Sequence, residues 1–277
     1  MPELPEVETI KKDLIKGLLG RRIEDVVVYD ERVIRGRAAS DFKTALMGYT
    51  VVDLTRRGKA IIAQLSHPAL AGGKQFLVIQ VMMTGQLIFS ASAQAMPMTR
   101  ITFRLSNDQY LHYNDQRLFG RLQIVHDPDE IGYLKTIGPE PLSRGFQVVR
   151  LAEQLQRRSI PIKTLLLNPR FVAGIGNIYA SEILFASRIN PKRPAKSVKP
   201  EEIKRLHQAT IDVLKEAIRL RGTSMRNYRD GKGQKGGFMN RIKVYGREHE
   251  RCYRCRAPIQ RIVQSGRSTF FCKSCQR

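Results

Sequence analysis

The sequence predicts an α+β protein in two parts: a β sandwich or barrel led by a single helix, then a helical part that closes in a small cysteine-bearing ribbon. Three observations support that class. Short β-type runs follow one another from Ile23 to Val125, helical periodicity takes over near residue 150, and all four cysteines lie in the last 26 of the 277 residues. Strands without interleaved helices exclude a doubly wound sheet, whose text alternates strand and helix.

The chain opens "MPELPEVETI". Val7, Ile10, Leu14 and Leu18 recur at helical spacing, proline suits the first turn, and Gly20 is a stop, so a helix is expected over Pro5–Leu19. Glu3, Glu6 and Glu8 suit the positive end of that helix, which accounts for the acids without any chemistry. Strands are expected in "IEDVVVYD", "KAIIAQL", "QFLVIQVM", "ITFRL", "YLHYND" and "RLQIV". The stretch 138–149 reads as a linker between a first domain, 1–137, and a helical one, 150–243. In the latter, "RLAEQLQRR" and "NIYASEILFASR" are helices, and a third runs from about Pro200 to Arg221 with Ile203, Leu206, Leu214 and Ile218 inward and Gly222 as its stop. Gly174 and Gly176 precede the second of these. A glycine-lined helix start offers backbone N–H groups and a positive dipole end to a phosphate, although G-x-G alone is a weak signal.

The cysteines are more specific. Cys252, Cys255, Cys272 and Cys275 read C-x2-C, sixteen residues, C-x2-C within 244–277. Two such knuckles complete a tetrahedral four-thiolate site for one zinc ion, and with four ligands supplied that ion is structural. "PIQRIVQSGRSTFF" between them reads as two strands around a turn at Ser265–Gly266, which makes the segment a zinc ribbon. Two disulfides of a secreted protein fit poorly where no signal peptide opens the chain.

Charge narrows the partner. Lys and Arg number 48 against 25 Asp and Glu, a formal +23. An excess of this size points to a polyanion through phosphate neutralisation and counterion release, with a merely solvated basic surface as the bland alternative. No basic amphipathic helix with a bulky apolar face is visible, and no run is apolar enough for a signal or a span, so no membrane partner is expected.

"PELPEVET", "GIGNIYASE" and the C-x2-C-x16-C-x2-C end, in this order, resemble the formamidopyrimidine-DNA glycosylase family over the whole chain. The resemblance implies an N-terminal β-sandwich with a leading helix, a helix–two-turn–helix module and a zinc ribbon. It implies a bifunctional DNA glycosylase and AP lyase of base excision repair, acting on 8-oxoguanine and formamidopyrimidines in double-stranded DNA. Removal of Met1 would expose the secondary amine of Pro2, which attacks C1′ and forms an iminium; β,δ-elimination then cuts the strand. Glu3 would be the general acid at the sugar ring, and Glu6 a support for this corner rather than a proton carrier. An intact Met1 would block the reaction.

The lesion must be flipped and its gap filled. By pattern alone Met83 and Phe119 read as core; the resemblance makes them a wedge, with Met83 filling the stack, Phe119 unstacking a neighbour and Arg117 meeting the widowed cytosine. Lys59 in "RRGKA" resembles the family lysine that holds a phosphate beside the lesion and groups with the catalytic residues. Asn177 and Arg267 resemble further phosphate ligands, and Gln80 and Lys163 are carried over as DNA contacts. Gln80 stands where the family often has histidine, Met82 where glycine or arginine is common, and Leu118 where a basic residue is usual. The glycine-rich 222–238 corresponds to a loop that closes over the flipped base. The resemblance further implies a monomer in a bacterial cytosol or a plastid-like compartment. Two alternatives stand beside this reading: an endonuclease VIII-like enzyme for oxidised pyrimidines, which "PELPEV" and the Arg117/Phe119 pair disfavour, and a non-catalytic zinc-ribbon DNA-binding protein, which has no use for the Pro2–Glu3 start.

Overall fold

A computed structural model of the chain describes residues 1–69, 74–225 and 228–277. They form two compact units, Met1–Lys135 with Leu220–Gly237, and Thr136–Arg219 with Phe238–Arg277.

The first unit begins with helix α1 (Leu4–Leu18), and the expected stripe of Val7, Ile10, Leu14 and Leu18 is buried. Gly20, at φ +74°, turns the chain away just beyond it. Then follow β1 (Ile23–Val28), a short helix α2 (Ala39–Thr44), β2 (Thr50–Arg57), β3 (Ala60–Ser66), β4 (Gln75–Gln80), β5 (Gly85–Ser90), β6 (Thr99–Leu105), β7 (Tyr110–Asp115) and β8 (Arg121–Val125). They build two antiparallel four-stranded sheets, ordered β1-β6-β7-β5 and β2-β3-β4-β8. Two separate sheets decide for the sandwich over the barrel.

Val26, Leu87, Ile101, Phe103 and Leu111 from one sheet share a single core with Leu54, Ile61, Leu65, Leu77, Ile79 and Leu122 from the other, and α1 joins it. The opposite face of the second sheet is also covered: Ile62, Val78 and Val125 cluster with Leu134 of a short helix α3 (Gly132–Thr136). That is why "AIIAQL" is apolar without alternation.

Two strands escape the period-two reading of the sequence. In β2 a register shift between Val51 and Asp53 breaks the alternation, so "TVVDLTRR" looks irregular. The other, β5, opens on a glycine directly after a turn and shows too short an apolar run.

The second unit carries α4 (Val148–Gln156), α5 (Ile162–Leu166), α6 (Asn177–Ala186), α7 (Pro200–Arg219) and the hairpin β9 (Gln260–Gln264)–β10 (Arg267–Phe271). In α7, Ile203, Leu206 and Leu214 are buried as expected; Ile218 is only half-buried, and Ala217 takes the innermost place in that turn. The stretch expected as a linker is packed: Phe146 is buried with its ring 4.8 Å from that of His207, and the Gly138 N–H donates to the Pro169 carbonyl.

The segment 222–238, assigned from sequence to the helical domain, belongs by packing to the first unit up to Gly237. Its stems are bonded to α1. The Arg221 guanidinium donates to Asp13 and to Asp230, and the Gly231 and Thr223 N–H groups donate to Asp13 and Glu6 respectively. Sequence proximity to α7 could not reveal this, because the partners lie more than 200 residues away.

Candidate active site

Pro2, Glu3 and Glu6 are buried, and they are so because α1 starts at residue 4 and plants its first turn in the unit. The Glu3 N–H donates to Glu6 Oε2 at 2.8 Å, while Glu6 Oε1 accepts the Thr223 N–H at 2.7 Å. Both carboxylate oxygens are thus occupied by backbone donors. This geometry suits the supporting role expected for Glu6. Gly222, at φ +81°, passes so close that a Cβ would stand 2.7 Å from the same oxygen, so only glycine fits there.

Lys59 lies on the two-residue turn Gly58–Lys59 that joins β2 to β3, with Gly58 at φ +58°. Arg56 pins the hairpin tip, donating to Glu8 of α1 and to the Gly58 carbonyl, each at 2.9 Å. The terminal amine, that of Met1, lies in the field of Glu3, Glu6, Lys59 and Arg117. Burial, which strips it of water, holds its pKa below the ordinary 8.0, and the cations Lys59 and Arg117 act in the same direction against the two carboxylates.

The three wedge candidates come together on one edge of the sandwich. Met83, in the β4–β5 turn, and Phe119, in the β7–β8 turn, are 39% and 44% exposed, which removes the core reading of both. Arg117 bridges them: its Nη1 lies 3.4 Å from Met83 Sδ and its guanidinium 4.5 Å above the Phe119 ring. Gln80 sits at the end of β4, half-buried and paired with Arg121. Met82 and Leu118 both have left-handed backbones, at φ +50° and +57°.

In the second unit the expected phosphate ligands behave differently from one another. Arg267 is exposed beside the β9–β10 turn, where Ser265 and Gly266 both have positive φ, the two-residue hairpin expected from "SG". Asn177 opens α6 after Gly176, and its amide is turned to Ser268 of the ribbon, 2.9 Å away. Lys163 is 1% exposed. Its ammonium donates to Asn177 Oδ1, the Ser268 carbonyl and Thr269 Oγ1 at 2.7, 2.9 and 2.7 Å. A buried ammonium with these three acceptors orients Asn177 rather than presenting itself to a phosphate.

The four cysteine sulfurs lie within 4.8 Å of one another, with Cys252–Cys275 at 3.9 Å and Cys255–Cys272 at 3.4 Å. Tetrahedral zinc–thiolate bonds place sulfurs about 3.8 Å apart, so the donor set fits one zinc. The Cys255 thiol is drawn down to about 7, first by the Ala257 N–H, while burial pushes the Cys272 thiol up and the Cys275 thiol up to about 12.

Residues 1–122 match the formamidopyrimidine-DNA glycosylase N-terminal domain, 137–229 the H2TH domain of the same proteins, and 250–277 the zinc finger found in FPG and IleRS. The chain belongs to the formamidopyrimidine-DNA glycosylase family. Its similarity to the enzyme of that name from Desulfitobacterium hafniense is 40% identity over 279 residues and the full length of both chains; with that from Moorella thermoacetica it is 43%, covering 95% and 94%. Among solved structures it is similar to MutM (FPG) of Thermus thermophilus, with 39% identity, TM-score 0.87 and coverage of 99% and 98%. It is also similar to a Lactococcus lactis FPG variant in complex with a Fapy-dG containing DNA, with 33% identity, TM-score 0.90 and full coverage of both chains.

Within this glycosylase fold, sequence reading missed the polar residues that hold the functional ones. Asp13, Arg221 and Asp230 fix the stems of 222–238, and Asp115 and Thr84 tie the β4–β5 turn to the β7–β8 turn. Their only sequence signal was polarity at positions flanking apolar periodic runs. Arg226 and Asn227, within the segment 222–238, lie outside the described residues.

Proposed function

We propose that the protein excises oxidised purines, 8-oxoguanine and formamidopyrimidines, from double-stranded DNA and then nicks the strand, using the amine of Pro2 once Met1 is removed. The observation that carries this reading is the setting of the chain start: Pro2 is buried beside Glu3 and Glu6, and the Met1 amine just ahead of it lies in the field of Glu3, Glu6, Lys59 and Arg117, its pKa lowered by burial. A secondary amine freed of its proton is a competent nucleophile. It attacks C1′ as the base leaves, and the resulting iminium acidifies the C2′ proton. The 3′ phosphate and then the 5′ phosphate are lost by elimination. Glu3 protonates the ring oxygen of the sugar, while Glu6, with both oxygens engaged, keeps the corner in place.

Met83, Arg117 and Phe119 form the wedge in this reading, Lys59 holds a phosphate beside the lesion, and Asn177 and Arg267 hold others. A zinc ion on the four cysteines stabilises the ribbon that carries Arg267. The Fapy-dG and abasic-site DNA bound by the Lactococcus lactis relatives support a damaged-DNA substrate. We place the enzyme in a bacterial cytosol as a monomer; the bacterial relatives support the source, and no helix among the described residues is long and apolar enough to cross a membrane.

Borohydride trapping tests the reading. Protein lacking Met1 is incubated with a duplex bearing one 8-oxoguanine opposite cytosine, reduced, and the crosslinked residue located by peptide mass. An adduct on Pro2 is expected. An adduct only with an oxidised pyrimidine would assign the endonuclease VIII specificity, and no adduct despite tight binding would refute catalysis.

A further inference from the structure

Asp115, the last residue of β7, is completely buried, and its carboxylate gathers four donors. Oδ1 accepts from the Thr84 hydroxyl at 2.5 Å and from the Arg117 N–H at 3.2 Å. Oδ2 accepts from the Gly120 N–H at 2.7 Å and from the Tyr113 hydroxyl at 3.4 Å. Thr84 closes the circuit, because its Oγ1 also accepts from the Arg117 N–H at 3.0 Å. Thr84 follows Met83, and Arg117 and Gly120 bracket Phe119. The two turns that carry the wedge therefore meet on one side chain.

The clamp is itself held in place. Gly85 lies opposite Asp115 in the β5–β7 register. The Asp115 N–H donates to Met98 and its carbonyl accepts from Arg100 Nε at 2.8 Å. Gly120 leaves no room for change, since a Cβ there would stand 1.5 Å from the Tyr113 hydroxyl. Burial and the adjacent Asp115 carboxylate push the Tyr113 phenol up, so it remains a donor.

We propose that Asp115 is a positioning residue that locks the Met83 turn and the Arg117–Phe119 turn into one rigid wedge, so that all three side chains enter the base stack together. The inference rests on the reading of those three as the wedge. Unstacking a base step is unfavourable by a few kcal/mol, and two turns that flexed independently would spread that load over misaligned side chains. A buried network with every member satisfied couples them.

The test compares Asp115→Asn, Thr84→Val, their double variant and Phe119→Ala, each checked for a cooperative melt. Three readouts apply: single-turnover excision of 8-oxoguanine from duplex, nicking of a single-stranded abasic oligonucleotide, and fluorescence of 2-aminopurine placed beside the lesion. Asp115→Asn is expected to slow duplex excision about a hundredfold, the loss typical of misplacement by about 1 Å. It should suppress the 2-aminopurine rise while changing single-strand nicking less than about threefold, since no stack is opened there. Thr84→Val should give a smaller loss of about fivefold, the worth of one hydrogen bond. The double variant should then be no worse than Asp115→Asn alone. Equal losses on both substrates, or additive losses in the double variant, would overturn the clamp. If Asp115→Asn does not fold, Thr84→Val decides through the same two-substrate comparison. A parental fluorescence rise in Phe119→Ala would sink the wedge reading and the clamp with it; a suppressed rise there but not in Asp115→Asn would sink the clamp alone.

Discussion

At the residue scale, the proposed reaction depends on a free amine at Pro2. Pro2→Gly retains a terminal amine but loses the ring, and duplex excision should fall by on the order of a hundredfold or more while binding stays near parental. Single-turnover excision beside a binding titration checks this, and unchanged turnover would refute the nucleophile. The pH dependence follows from the sign of the shift. Burial lowers the pKa of the Met1 amine, and Pro2, buried one residue further in, is expected to carry its freed amine shifted in the same direction, so that the reactive form accumulates on a limb moved to lower pH. Trapping rates measured from mildly acidic to mildly alkaline pH should place that limb below the ordinary α-amino value. Stability moves the same way. Between the folded and unfolded values the unfolded chain binds the extra proton, so this group's contribution is present at high pH and lost as pH falls through that window. Glu6→Gln should destabilise by about 1–3 kcal/mol, because an amide cannot accept both the Glu3 and Thr223 N–H groups and one donor is left unpaired. Thermal melting measures it.

At the element scale, the β4–β5 and β7–β8 turns proposed to carry the wedge combine strain with tight packing. Met82 and Leu118 hold left-handed backbones that a glycine would adopt without a Cβ penalty. Met82→Gly should therefore be stability-neutral or stabilising by up to about 1 kcal/mol, even though it removes a half-buried side chain. Gly120→Ala acts in the opposite sense. Its Cβ collides with the Tyr113 hydroxyl, and a loss of about 2–3 kcal/mol is expected, read by denaturant midpoint at constant slope. The elements most legible in the sequence were α1 and α7, with unbroken helical periodicity, α6, whose Ile178–Phe185 run is buried on every side, and the ribbon hairpin. Those that were not legible had a local cause: the register shift in β2 and the glycine start of β5 erase alternation over the few residues available to show it.

At the scale of the whole molecule, a charge of +23 on 277 residues makes DNA affinity strongly salt-dependent. Lys59→Ala should reduce the slope of log K against log salt by about 0.9, the share of one phosphate. An unaltered slope would refute that contact. In the ribbon, Cys272→Ser should abolish stoichiometric zinc, as measured by metal content, because three thiolates no longer close the site. What the sequence determined by itself was whatever depends on residue type at short spacing: the thiolate pairs, the helix start that carries Pro2, Glu3 and Glu6, the alternating strands and the basic charge. Tertiary structure alone decided the rest. It turned Lys163 inward to Thr269, 106 residues away, rather than outward to a phosphate. It moved 222–237 from the helices to the sandwich through a bond from Thr223 to Glu6, 217 residues apart, and joined the two wedge turns through Asp115 and Thr84. The physical reason is common to all three. A buried polar group must find partners wherever the fold brings them, and a partner's distance along the chain leaves no periodic trace in the sequence.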